Sequence, residues 1–305
     1  MGFVKNYVDE HFTRARFLSS AKSGACTRYL HRGGWYDTVV DENMIFSHRC
    51  AFFEDNCFTN SFHAHEYYEM VVYVKGDVEY LNEDSKILPS PATLIWSAPG
   101  QMHTARLRSP CEYERFVLCF LPDFFGDGGA QEAILSFMKR HGGAMHPNER
   151  TAAQLLAVLQ KAKSAAEAAP AFAPLLLKAH LVEFFALLNL PDTELQEKRA
   201  EHSPLAHVKA YIDKEYATIR STGEIAAHFF YSREHLSRRF CEEFNISVSA
   251  YLAERRVRSA LPLLAHGSVA QAAYAVGFGS QSAFIAAFKR VMGCLPSVYQ
   301  ARGRT

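Results

Sequence analysis

Four side chains in the first third of the chain have types and spacing that suit them to act together. His63, His65 and Glu69 follow the pattern H-x-H-x3-E, and His103 stands further on, after Gly100. Side chains alternate along an extended strand, so His63 and His65 point to one face. Glu69 and His103 can converge on that face if the strands carrying them enclose a common interior. Three imidazoles and a carboxylate are a sensible donor set for Fe²⁺, Mn²⁺, Zn²⁺ or Ni²⁺. The same groups can instead hydrogen-bond a small polar ligand, or satisfy one another as structural histidines. Trp96, Tyr68 and Tyr80 offer flat faces for a sugar-like or aromatic ligand, although buried aromatics are more often core. No general acid or base stands obviously beside the set, so catalysis is not expected.

The elements that must position these groups read as short strands. Residues 1–128 are rich in aromatic and β-branched residues. Met70–Val74, Thr93–Trp96 and Phe116–Phe120 read as buried strands, punctuated by Gly76-Asp77, Asn82-Glu83-Asp84 and Pro99-Gly100. Many short strands with close turns predict a sandwich or barrel. Composition changes at Gly128-Gly129. Residues 129–190 are Ala- and Leu-rich with helical spacing, one stripe being Ile134, Met138 and His141, another Leu155, Leu156, Leu159 and Ala162. The apolar run Ala171–Leu190 contains Lys178, His180 and Glu183, which argues against a membrane span. Its seven large apolar residues, Leu175, Leu176, Leu177, Leu181, Phe184, Phe185 and Leu188, exceed what one helix face needs, so a homodimer contact is expected there. Residues 191–203 are polar and read as a linker, and helices resume over 204–305.

Charge divides along the same line. The 305 residues carry a net charge of only +1, but residues 204–305 hold 13 Lys/Arg against 7 Asp/Glu, leaving −5 for the remainder. A basic C-terminal part suggests that this end meets a polyanion. At +6 over that length, a non-specific architectural DNA binder is a weak reading. Cys26, Cys50, Cys57, Cys111, Cys119, Cys241 and Cys294 form no CxxC pair, which fits reduced thiols in a cytoplasm. Met1–Glu10 has no apolar run, so no secretory leader is expected.

The basic part uses one motif twice. Ile225–Phe229, a turn, and Ser232–Phe240 correspond to Ala272–Phe278 and Ser282–Arg290. Leu236 and Phe240 match Phe284 and Phe288 at an offset of 48, and Ala226 matches Ala273 at 47. Each copy has a small residue where two helices cross and an i, i+4 apolar pair that packs beneath. That packing turns Ser232, Arg233, Glu234, Ser237 and Arg238 outward in the first copy, where arginine can bridge guanine O6 and N7 or clamp phosphate. The second copy offers Ser280, Gln281 and Ser282 at its start and Lys289 and Arg290 near its end, a face better suited to backbone than to base contacts. Val248–Leu264 reads as one helix of ~26 Å between them. That length can set two recognition helices about one DNA turn, ~34 Å, apart.

Residues 205–302 resemble the DNA-binding domain of the AraC/XylS family of transcription regulators. The matching stretches are Ser232-x3-Leu236-x3-Phe240, Tyr251-Leu252 with Arg256, Ala260 and Leu263-Leu264, Ala273-x3-Gly277-Phe278, Ser282-x-Phe284-x3-Phe288-Lys289-Arg290, and Gly293-x2-Pro296-x2-Tyr299. The sequence departs from the family at Phe230, Asn245, Pro262, Ile285 and Ala286, and Pro262 is expected to kink the connecting helix or end it early. The histidine pattern resembles the cupin double motif, departing at Cys57, Pro99 and Leu107. The resemblance implies an α+β multidomain chain: a cupin-like antiparallel β-barrel that senses an effector, a helical middle segment, and a C-terminal all-α double helix-turn-helix. It further implies a promoter or operator as DNA partner, RNA polymerase as protein partner, a small molecule such as a sugar as effector, and activation of metabolic genes. His63, His65, Glu69, Trp96 and His103 are the effector candidates. No cofactor is required, and a divalent metal on His63, His65, Glu69 and His103 stays open. A metal-dependent cupin enzyme with a DNA-binding tail is the alternative.

Overall fold

A computed structural model describes residues 27–31, 34–40, 44–53, 62–65, 67–82, 85–126, 129–140, 143–190, 195–196 and 204–302. Cys26, Cys57, His141 and most of the expected linker at 191–203 lie outside these residues. The chain divides into two compact units, Met1–Glu201 and His202–Thr305.

The first unit is built on two antiparallel sheets. The larger uses β1 (Thr27–His31), β2 (Gly34–Val40), β3 (Met44–Phe53), β4 (Tyr68–Lys75), β7 (Leu94–Ser97), β9 (Cys111–Phe120), β10 (Ala144–Pro147) and β11 (Leu195–Gln196), in the order β1-β2-β3-β9-β4-β7-β10-β11. The smaller has the order β6-β5-β8, from β5 (Val78–Leu81), β6 (Lys86–Ile87) and β8 (Thr104–Leu107). The central strands are apolar on both faces, and strand alternation assigns each face a different partner. Met44, Phe46, Met70, Val72, Leu94, Trp96, Phe116, Leu118 and Phe120 pack against helices α1 (Gly129–Arg140), α2 (Glu149–Ala168) and α3 (Ala173–Leu188). Their strand neighbours Ile45, Val71, Tyr73, Ile95, Tyr113, Val117 and Cys119 face Val78, Tyr80, Ile87, Ala105 and Leu107 of the smaller sheet. The order is therefore helices, large sheet, small sheet. Gly76 closes the β4–β5 turn at φ +134, after a register shift between Tyr73 and Lys75. A side chain there would meet Tyr113 Cα at 3.2 Å.

The helices complete the core of the first unit. Asn148 caps α2 by accepting from Thr151 N–H, and Leu155, Val158, Leu159, Ala162 and Ala166 recur at helical spacing on its buried face. In α3, Leu177, Leu181, Phe184, Phe185 and Leu188 are buried in the same core. Most of the apolar surplus in this segment is thus used within the chain, and Leu175 is the clearest remainder, 65% exposed. Among the described residues no helix is long and apolar enough to cross a membrane.

The second unit is all helical: α4 (Ala206–Glu215), α5 (Thr222–His228), α6 (Arg233–Phe244), α7 (Val248–His266), α8 (Val269–Ala275), α9 (Gln281–Met292) and α10 (Pro296–Arg302). Val257, Ala260 and Leu264 of α7 share a core with Ala272, Ala273, Phe284, Ala287, Phe288 and Met292. Pro262 does not end α7 early: the helix continues a further turn to His266. Near a helix end the missing N–H removes only one bond of the ladder. In α4 the buried Lys209 ammonium donates to Asp213 (2.9 Å), which also accepts from the Tyr251 hydroxyl (2.6 Å) and faces Arg255 (3.3 Å).

Candidate functional site

The two helix pairs of the second unit are constructed alike. Ser221 caps α5 and Ser268 caps α8, an offset of 47. Ser232 caps α6 and Ser280 caps α9, an offset of 48. Each serine accepts from the backbone N–H three residues on, satisfying donors that a helix start leaves open. Leu236, Phe240 and Phe244 anchor α6, as Phe284, Phe288 and Met292 anchor α9. Each second helix ends in a left-handed residue, Asn245 at φ 51 and Gly293 at φ 69. The caps were legible as an offset of serines, a signal the apolar pattern alone did not use.

With one face of α6 buried, Ser232, Arg233, Glu234, Ser237 and Arg238 are exposed together. Arg238 lies 3.8 Å from Glu242, a surface pair too weak to hold it from a ligand. Arg233 is folded back over the first turn of α5, where Gly223 leaves it room: a side chain at Gly223 would stand 2.4 Å from its Nε. On α9, Gln281 and Ser282 are exposed at the start and Lys289 and Arg290 in the last turn, with Ser280 half-buried as the cap. Ser280 Oγ also lies 3.1 Å from Ser282 Oγ. Lys289 and Arg290 complement the helix dipole there, whatever else they contact.

The two helix pairs are tied at one point. The Arg256 guanidinium, on α7, donates to the carbonyls of Tyr216 (2.8 Å) and Ile219 (2.5 Å), just beyond α4. Its guanidinium also lies over the Phe278 ring, at 5.7 Å. Gly277, at φ +89, lets the turn of the second pair press on the same segment: a Cβ would be 2.3 Å from the Ala217 carbonyl oxygen. The connecting helix therefore positions both pairs against a shared support.

In the first unit the histidine set does assemble. One ligand atom each of His63, His65 and His103 lies within 4.8 Å of the others, so the three can face a single ion. His63 and His103 are joined by a pair of backbone hydrogen bonds, 3.0 and 2.8 Å, which bring the two motifs together. Glu69 enters from β4, with its oxygens 3.4 Å from His103 Nε2 and 3.8 Å from His65 Nε2. Burial and the adjacent His103 push His65 well below the usual imidazole range, so it is neutral. Burial works against the Glu69 carboxylate, but the adjacent His103, together with His65 and His63, outweighs it and keeps the group ionised.

Ring orientation is fixed from behind. His65 Nδ1 donates to the Tyr67 carbonyl (2.8 Å), and His103 Nδ1 lies 3.0 Å from the Gln101 carbonyl. His65 therefore turns the lone pair of a buried Nε2 toward a carboxylate, a repulsive pairing that a cation between them would reverse. A metal-bound imidazole has the same second contact, its other N–H donated to a carbonyl. The residues present thus fit a divalent ion, which would act here as a Lewis acid or a fixed positive charge.

The Trp96 ring stands apart from the histidines. Its indole N–H donates to the Met138 carbonyl (2.9 Å) and its ring packs by Phe137, on the helix side of the sheet. Tyr68 stacks on Phe120 on that same side, whereas Tyr80 faces the space between the sheets. A recess there is lined by Glu69, Tyr80, Ile95, Trp96, Ser97 and His103, among others.

Residues 52–185 match the AraC-like ligand binding domain, and residues 225–302 match a helix-turn-helix domain. The chain is a transcriptional regulator of the AraC type. The regulator's ligand-domain match runs through α2 and into α3, as the shared core does. It is 29% identical over 126 residues to the Msm operon regulatory protein of Streptococcus mutans serotype c, covering 41% of this chain and 44% of that one. It is 22% identical over 245 residues to the probable transcriptional regulator LumQ of Photobacterium leiognathi, covering 79% and 92%. Among solved structures, the DNA-binding domain of AdpA in complex with a target DNA is 31% identical, covering 33% of this chain and 94% of that chain, with a TM-score of 0.31.

Proposed function

We propose that the regulator is a ligand-responsive, sequence-specific DNA-binding protein that reads a bipartite promoter site through α6 and α9. One observation carries this reading: two helix pairs with equivalent caps and anchors each leave a polar recognition face exposed, and Arg256 and Gly277 fix both to one support. In this reading α6 reads bases through Arg233, Glu234, Ser237 and Arg238. The α9 residues Ser280, Gln281, Ser282, Lys289 and Arg290 chiefly hold the backbone.

The sensor binds a small effector between its two sheets, at His63, His65, Glu69 and His103. The regulator activates genes of carbohydrate or other small-molecule metabolism through RNA polymerase, works in the cytoplasm, and acts by binding rather than catalysis. It forms a homodimer through the stripe Phe172, Leu175 and Val182, which the sensor's own core leaves exposed. The orientation of His65 and His103 favours a divalent ion on the four-residue set as part of the same sensor.

The test is selection of DNA by the purified full-length chain at ~150 mM salt, with total-metal analysis of the same sample. Two enriched elements about one helical turn apart support the reading. No enrichment together with stoichiometric metal would overturn it in favour of a metal-dependent cupin enzyme.

A further inference from the structure

A second cluster of metal-ligating groups lies on the face of the large sheet opposite to Glu69. β3 and β9 pair in the register His48↔Phe116, Cys50↔Glu114 and Phe52↔Glu112. Alternation therefore puts His48, Cys50, Glu112 and Glu114 on the face where Met44, Phe46, Phe116 and Leu118 meet the helices. Glu69 pairs with Cys119 on the other face. One ligand atom each of Cys50, Glu112 and Glu114 lies within 4.8 Å of the others.

Two of the four side chains are buried. The Cys50 thiol is hydrogen-bonded to Glu112. His48 Nε2 stands 2.9 Å from Glu114 Oε1, and its ring stacks on Phe116 at 4.0 Å. The half-exposed Lys75 bridges Glu112 and Glu114, lying 3.5 Å from the latter. An exposed Lys–Glu contact alone is an ordinary surface pair. A buried thiol and a buried imidazole directed at the same two carboxylates are not. Apolar packing does not call for a sulfur against two carboxylates, whereas this mixed donor set suits a borderline divalent ion. A dication with one thiolate and two carboxylates leaves one negative charge, which the Lys75 ammonium neutralises.

We propose that Cys50, Glu112 and Glu114 form a binding site for a zinc-class divalent ion, distinct from the histidine set, with His48 as a positioning residue that orients Glu114. The ion replaces the proton of the Cys50 thiol, which passes to solvent, and takes one oxygen from each carboxylate. Three protein donors leave a fourth tetrahedral position for water. An imidazole N–H donated to a ligating carboxylate is the kind of outer contact that fixes such a ligand. Cys50 belongs to β3 and both glutamates to β9. The ion therefore clips two neighbouring strands of the large sheet together, and its occupancy is coupled to the stability of the first unit.

The experiment titrates cobalt(II) into the full-length chain, stripped of metal with a chelator, and reads the thiolate-to-cobalt charge-transfer band in the near ultraviolet. Wild type should develop the band to saturation with a single ion, and zinc should abolish it. Cys50→Ser should lose the band, and His65→Ala should keep it. Glu112→Gln, at a half-exposed position that leaves the core intact, should weaken the cobalt affinity read at this band by roughly tenfold or more. His48→Leu should weaken it by about tenfold, and His48→Gln, which keeps an N–H donor, should restore it. No band in wild type would overturn the proposal, as would unchanged affinity in Glu112→Gln. A band that survives Cys50→Ser but is lost in His65→Ala would also overturn it, by placing the thiolate with the histidine set through Cys119. Unchanged affinity in His48→Leu would overturn the role given to His48.

Discussion

Phe230 and Gly277 occupy the same turn of the two helix pairs, and both hold left-handed backbone, at φ 59 and φ 89. Glycine adopts that conformation freely, whereas a side chain pays roughly 1–2 kcal/mol for it. Phe230 gains nothing in return within its own unit, being 97% exposed. Phe230→Gly is therefore expected to stabilise the chain by about 1 kcal/mol, somewhat offset by the greater freedom of glycine when unfolded. Urea unfolding of the two proteins measures it. A loss of stability would mean that the aromatic ring packs in a way its exposure conceals.

Arg256 should matter more than its surface neighbours. It supplies two charge-assisted hydrogen bonds to the carbonyls of Tyr216 and Ile219. Such bonds contribute about 1.5–3 kcal/mol each when lost. Arg256→Met is expected to destabilise the C-terminal unit by about 3 kcal/mol, and to weaken binding to a two-element DNA site more than to a single element. Equal losses on both DNAs would show that Arg256 does not set the relation between the helix pairs.

Much of this organisation could be read from residue order. The offsets of 48 between Leu236 and Phe284 and of 47 between Ala226 and Ala273 predicted the paired units, because an i, i+4 anchor and a small crossing residue leave little choice of packing. His63, His65, Glu69 and His103 were likewise identifiable, since their chemistry is unusual in a strand. Trp96 was not. Met70–Val74 is apolar on both faces, so alternation alone cannot say which face meets helices, and a shift of one residue exchanges them. The same ambiguity hid the burial of Arg49 and Arg115, which shows only once their strands are paired. The apolar surplus of α3 has a use within the chain that residue order does not show. A helix covering a sheet buries a wider stripe than one meeting a single helix, and Leu177, Leu181, Phe184, Phe185 and Leu188 supply it.

Cys50 and Cys241 should differ sharply toward an alkylating reagent. Burial, with help from the carboxylates of Glu112 and Glu114, pushes the Cys50 thiol up to about 11. A raised value means the neutral thiol persists through ordinary pH, with about one molecule in a thousand ionised at pH 8. Cys241 is exposed on α6. Iodoacetamide at pH 8 should label Cys241 within minutes and leave Cys50 unmodified, with Cys50 labelling rising only as pH approaches 11. Peptide mass mapping reports both, and early modification of Cys50 at pH 8 would contradict the assignment.

Arg238→Ala tests base reading by α6. Arg238 is exposed beside Glu242 and supports no core contact, so the fold should be unaffected. Specific DNA binding should weaken by ~1–3 kcal/mol, with relaxed preference at one position of the site. A loss spread equally over all sequences, with a shallower salt dependence, would make Arg238 a phosphate contact.

His65→Ala separates sensing from DNA binding. His65 is buried, holds its ring on the Tyr67 carbonyl, and stacks on the Tyr67 ring at 3.8 Å. Removing it leaves Glu69 with His63 and His103, one donor short of the set. The variant should lose tight zinc or manganese binding, measured by equilibrium dialysis, while the C-terminal unit keeps its DNA affinity because it folds around a separate core. Adding a chelator to wild type should lower the unfolding temperature of the sensor and have no effect on His65→Ala. If wild type itself retains no metal in dialysis and the chelator changes nothing, His63, His65 and His103 are ligand-binding or structural groups. If His65→Ala also abolishes DNA binding, the imidazole supports the whole chain and not the sensor alone.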